Sequence, residues 1–109
     1  MALNVTELAE NMLTAAKDVL EEKWEEASTF AEIEFNSLAE GLKAIEEKLL
    51  IGAITTQQAE ILFKMKKNAA QSVLLTIEGI GIIAAEQAIN EALNVVKDTV
   101  NGVLNFPLI

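Results

Sequence analysis

Leu50-Ile51-Gly52-Ala53-Ile54-Thr55-Thr56-Gln57-Gln58 reads as the end of one helix, a short link and the start of another. Gly52 stands where a helix closes in left-handed backbone, a conformation glycine adopts without a Cβ clash. Thr55 followed three residues later by Gln58 has the spacing of a capping box, in which hydroxyl and amide satisfy each other's backbone N–H. Ile54, just before that cap, is placed to staple onto the first turn of the new helix.

Upstream of this turn, Val5, Leu8, Met12, Ala16, Val19, Leu20, Trp24, Ala27, Ala31, Phe35, Leu38, Leu42, Ile45 and Leu49 recur in helical steps. Spacing of three and four is the signature of an amphipathic helix. Thr6, followed by Glu7 and Glu10, puts a hydroxyl and early negative charge at its start. A helix over about 4–51 is predicted, then a turn over 52–55. A second helix follows over about 56–101, ended by Asn101-Gly102. An apolar tail over 102–109, with the chain's one proline at Pro107, completes a single helical domain spanning 1–109. Each helix would be roughly 65–70 Å long at the helical rise. Ser28-Thr29 before Glu32, and Gly79-Ile80-Gly81, are weak points. In a hairpin turning near residue 54 they lie at one level, so a shared bend or a close-packing level is expected there, rather than two extra turns. Lys64, Lys66 and Lys67 would then oppose Glu40, Glu46 and Glu47.

The second helix is apolar over too wide an arc for one partner. Val73, Ile77, Ile80, Ala84 and Ala88 form one stripe. Leu74, Leu75, Ile82, Ala85, Ile89, Ala92, Leu93 and Val96 form another beside it. Together they span on the order of 200°, against roughly 100° for an ordinary surface helix. The expected fold is therefore all-α: a long antiparallel two-helix hairpin dimerising into a coiled-coil-like four-helix bundle. Leu74, Ile82, Ala85, Ile89, Leu93 and Val96 are its expected interface.

Composition narrows the function. The 109 residues include no cysteine, histidine or tyrosine, and the net charge is −9. Thiol chemistry, disulfides, haem ligation and imidazole-dependent triads are closed to it. Residues 1–51 carry twelve acids against four lysines, net −8, and residues 52–109 five against four, net −1. So acidic a surface disfavours nucleic acid, and it disfavours electrostatic docking to an anionic membrane. The start lacks the basic and apolar run of a signal peptide, and Val73–Ala85 is too short to span a bilayer. A cytoplasmic location is expected, with non-classical secretion left open.

Glu34 and Glu78 are the candidate chemistry. Each is an acid set among apolar neighbours on the helical wheel, and a dimer would bring four of them together. Four inward carboxylates resemble the diiron carboxylate bundles, whose metal sites also need a Glu-x-x-His pair. Without histidine that pattern is incomplete, and no cofactor is expected. The run Glu21-Glu22-Lys23-Trp24-Glu25-Glu26 reads as a solvated face around a core tryptophan, since it lacks calcium-loop spacing. The Gly52-Ala53-Ile54-Thr55 step resembles the short oligomerisation modules called SHOCT over those few residues, a likeness that capping explains. Size, acidity and a helical hairpin also resemble the small secreted Trp-x-Gly proteins. Their tryptophan lies in the turn, however, whereas Trp24 is mid-helix, and their tyrosine-bearing secretion motif is absent. The likeness is one of shape. The function expected is a non-enzymatic structural or protein-interaction module, partnered by itself or by another helical protein. A carboxylate-metal bundle and a binder of lipid or another hydrophobic surface are the alternatives.

Overall fold

The computed structural model describes residues 3–109. Four α-helices follow one another: α1 (Val5–Leu20), α2 (Trp24–Leu50), α3 (Thr56–Leu74) and α4 (Ile82–Leu104). The fold is all-α, and there is no strand among the described residues. The two long helices of the expected hairpin are each divided in two, and the longest dimension is 42 Å. That length accommodates α2, about 40 Å at the helical rise, and excludes an unbroken helix over 4–51.

The link between α2 and α3 follows its sequence signals. Gly52 adopts φ +71°; its N–H donates to the Leu49 carbonyl, and the Ala53 N–H donates to that of Lys48. This is the paired Schellman closure. The Gln58 N–H donates to Thr55 Oγ1 at 3.1 Å and the Thr55 N–H to Gln58 Oε1 at 2.9 Å. At the other end of the chain, α1 is capped by Asn4 rather than Thr6, the Asn4 side chain accepting from the Glu7 N–H.

The two further reversals lie at one end of the bundle. After Leu20 the chain enters a three-residue 3₁₀ turn, Glu21–Lys23, in which Glu21 takes φ 46°, ψ −111°. The break thus precedes Ser28, and it reverses the chain rather than bending it. The α3–α4 link over 75–81 contains Gly79 at φ +90°, and Ile77 and Ile80 are buried there as a plug. The Lys23 side chain crosses Gly79 so closely that a Cβ there would sit 2.6 Å from Nζ. Of the two predicted weak points, Gly79–Gly81 is a true break, whereas Ser28-Thr29 lies within unbroken α2. The chain reverses at Glu21–Lys23 instead, so two extra turns stand in place of the expected shared bend.

Neighbours in sequence pack as neighbours in space: α1 against α2, and α2 against α3. The longest-range association joins α1 to α4, whereas α3 and α4 touch sparingly. The result is an up-down-up-down bundle closed on three sides and splayed on the fourth. Phe35, Leu38 and Leu42 of α2, Met12 of α1, Leu74 of α3, and Ile89, Val96 and Val100 of α4 fill its centre. Alanines in the same stripes (Ala9 and Ala16 of α1, Ala85, Ala88 and Ala92 of α4) are also fully enclosed, which lets the helices approach closely.

Helix α4 runs past Gly102 to Leu104 and ends on Asn105 in left-handed backbone. The tail then turns back along it. Asn101 grips Ile109 twice: its side-chain carbonyl accepts from the Ile109 N–H at 3.0 Å, and its amide donates to the Ile109 carbonyl at 3.3 Å. Leu108 is buried as a consequence.

Candidate functional site

The sequence-predicted interface is spent inside the chain. Leu74, Ala85, Ile89, Leu93 and Val96 are all buried in the chain's own core, and only Ile82, 66% exposed, faces solvent. The wide apolar arc did require four helices; one chain supplies them all. Glu34 is half-buried on α2, and Glu78 is exposed in the α3–α4 link. That link sits at the Lys23 end of α2, about 16 Å of helix from Glu34. Among the described residues no three acidic side chains converge as a metal site would need. Across the α2–α3 link no salt bridge joins Lys64, Lys66 or Lys67 to Glu40, Glu46 or Glu47 among the described residues. Lys66 lays its alkyl stem over Gly41, whose hypothetical Cβ would be 3.2 Å from Lys66 Cγ. Lys64 and Lys67 turn instead toward α4.

One acid that the sequence placed opposite the α3 lysines is the bundle's single buried ionisable residue among those described. Glu46, 8% exposed, accepts the Leu3 N–H on both carboxylate oxygens at 3.1 Å and the Lys43 ammonium at 2.9 Å. Burial pushes its carboxyl up, but the hydrogen bonds from Lys43 and the Leu3 amide, with the Lys43 charge, hold it below the usual value. Its only sequence signal was the Lys43-x-x-Glu46 spacing beside Leu42 and Ile45. The role is structural: it ties the segment before α1 to α2.

Two surface features could receive a partner. The first is the splayed α3–α4 seam, a groove of about 640 Å³. Lys64, Lys67 and Asn68 of α3 line it together with Asn90, Asn94 and Lys97 of α4. Phe63, Leu93 and Leu108, each nearly enclosed, make its floor. Glu60 is the acid on its rim, yet the one salt bridge among the described residues is Lys43–Glu46, so the three lysines stand unpaired. These side chains recur at helical spacing on both helices, and reversal of the chain near Gly79 brings the two rows together. That reversal was the missing step in the sequence reading.

The second feature is apolar. Ile61 and Met65, one turn apart on α3, are exposed by 61% and 63%. Met65 borders a shallow groove of about 310 Å³ between α2 and α3, with Gly41, Ala44, Ile45 and Leu62 in its wall. Leu50 and Ile51 extend the apolar surface at the turn joining the same two helices. No helix among the described residues is long and apolar enough to cross a membrane. Comparison with protein-family models, curated proteins and solved structures finds no match to this chain.

Proposed function

We propose that this protein is a non-catalytic interaction module that self-associates through the outer face of α2 and α3. The observation that carries the reading is a ridge beside a groove. Ile61 and Met65 stand proud of α3; Met65 borders the groove of Gly41, Ala44 and Leu62, and Ile61 borders the α3–α4 seam. About a twofold axis such a surface complements itself, because the ridge of one copy enters the groove of the other. Exposed apolar ridges of this kind favour association over solvation. The Lys66 alkyl stem lies over Gly41, and Lys48 and Lys66 keep the groove's margin polar.

Sedimentation at micromolar concentration tests this reading. The expected result is a dimer that becomes monomeric when Ile61→Glu and Met65→Glu are combined, with helical content unchanged. A native chain that sediments as a monomer, or a double variant of unchanged mass, would overturn it.

A further inference from the structure

We infer that the α3–α4 seam is a binding site for a free amphiphile with one anionic head, such as a medium-chain carboxylate. This goes beyond self-association through α2 and α3, and Ile61 borders both surfaces. The groove has the two halves such a ligand needs. Lys64, Lys67 and Lys97 converge on one opening without an acidic partner, in a chain whose net charge is −9. Like charges lining one groove repel, and a single carboxylate or comparable oxyanion relieves that repulsion while accepting their hydrogen bonds. Asn68, Asn90 and Asn94 add neutral donors beside them.

Beside the cations the groove keeps accessible apolar surface, contributed by Ile61, Pro107 and Ile109 over the enclosed Phe63, Leu93 and Leu108. A hydrated inorganic anion has no use for it, whereas an acyl chain gains by covering it. The volume, about 640 Å³, falls in the range of small-molecule sites, and Glu60 to Asn68 spans only about 12 Å of helix. Both dimensions suit a short chain better than a long partner helix. The acidic remainder of the molecule, net −8 over residues 1–51, repels anionic bilayers and polyanions, so the ligand is taken as a free molecule.

Calorimetric titration of the full chain with decanoate below its micellar concentration tests the site, with decanol, inorganic phosphate and phosphatidylglycerol vesicles in parallel. Decanoate should bind saturably at one site per chain and shift the side-chain amide resonances of Asn68, Asn90 and Asn94. Decanol and phosphate should bind more weakly, and vesicles should not retain the protein. Combining Lys64→Gln, Lys67→Gln and Lys97→Gln should weaken decanoate by about tenfold or more, as expected for losing charge-assisted contacts. Asn94→Asp, which adds a negative charge to the groove and leaves the lysines in place, should weaken it as well. Decanoate binding that survives both variants, decanol binding equal to decanoate, absence of saturable binding, or retention on vesicles would each overturn the assignment.

Discussion

Glu46 and Glu21 are the residues at which the backbone makes unusual demands. The Glu46 carboxylate holds the Leu3 amide and Lys43 from a buried position, and its pKa lies below the ordinary value of 4.5. A group depressed in the folded state contributes stability that is complete above its unfolded pKa and is lost as pH falls through the folded one. Glu46→Gln should therefore lower stability at neutral pH by roughly 1–3 kcal/mol, the scale of charge-assisted hydrogen bonds. Its deficit against the native chain should shrink as the solution is acidified below the ordinary carboxylate range. Urea melts across that range measure both. Glu21 presents the opposite case, a side chain where glycine belongs. Its φ of 46° with ψ −111° matches the first central position of a type II′ turn. Glu21→Gly should relieve strain in excess of the chain entropy it introduces, a net gain of up to about 1 kcal/mol, whereas Glu21→Ala should give none of it. The thermal midpoint decides, since a rise of a few degrees is expected for the glycine variant alone.

Among the elements, the link between α2 and α3 was written in local chemistry and could be read directly. Gly52, Thr55 and Gln58 each have one backbone task, and each performs it. Thr55→Ala should cost about 1 kcal/mol, the usual worth of such a cap, with a matching drop in the denaturation midpoint. The reversal after α1 was not legible, because Glu21-Glu22-Lys23 contains neither glycine nor proline and its residues sit comfortably in a helix. Tertiary burial imposes that turn: folding back packs α1 against α2 as well as against α4. Gly79 and Gly81 did mark the later break, but a weak point in a helix reads equally as a bend or a reversal. The lysine–asparagine seam stayed hidden for the same reason, since its two rows are strangers until the chain turns at 75–81. The tail offers a further check on how elements are joined. Asn101→Ala removes both hydrogen bonds to Ile109, and Leu108 should then lose protection, visible as faster amide exchange over 106–109.

At the scale of the whole molecule, the wide apolar arc of the second half asked for the cover of further helices, and helices of the same chain supply it. Burial area specifies how much surface must be covered and is silent on whether the cover comes from the same polypeptide. Ile89 shows the difference, because it is fully enclosed by its own chain. Ile89→Glu should therefore unfold the protein, costing several kcal/mol through an unpaired buried charge, rather than release intact monomers. Circular dichroism of that variant separates the two outcomes. The sparing contact between α3 and α4 has a further consequence, in the order in which the molecule comes apart. Helix α1 is embraced on two sides, by α2 and α4, whereas α3 leans almost wholly on α2 and buries little beyond Ala59, Phe63, Ala70 and Leu74. A fluctuation that lifts α3 away need not disturb the other three helices. Under native conditions α3 should act as a separate cooperative unit, exchanging its amides at a free energy below that of global unfolding, while α1 and α4 open only together.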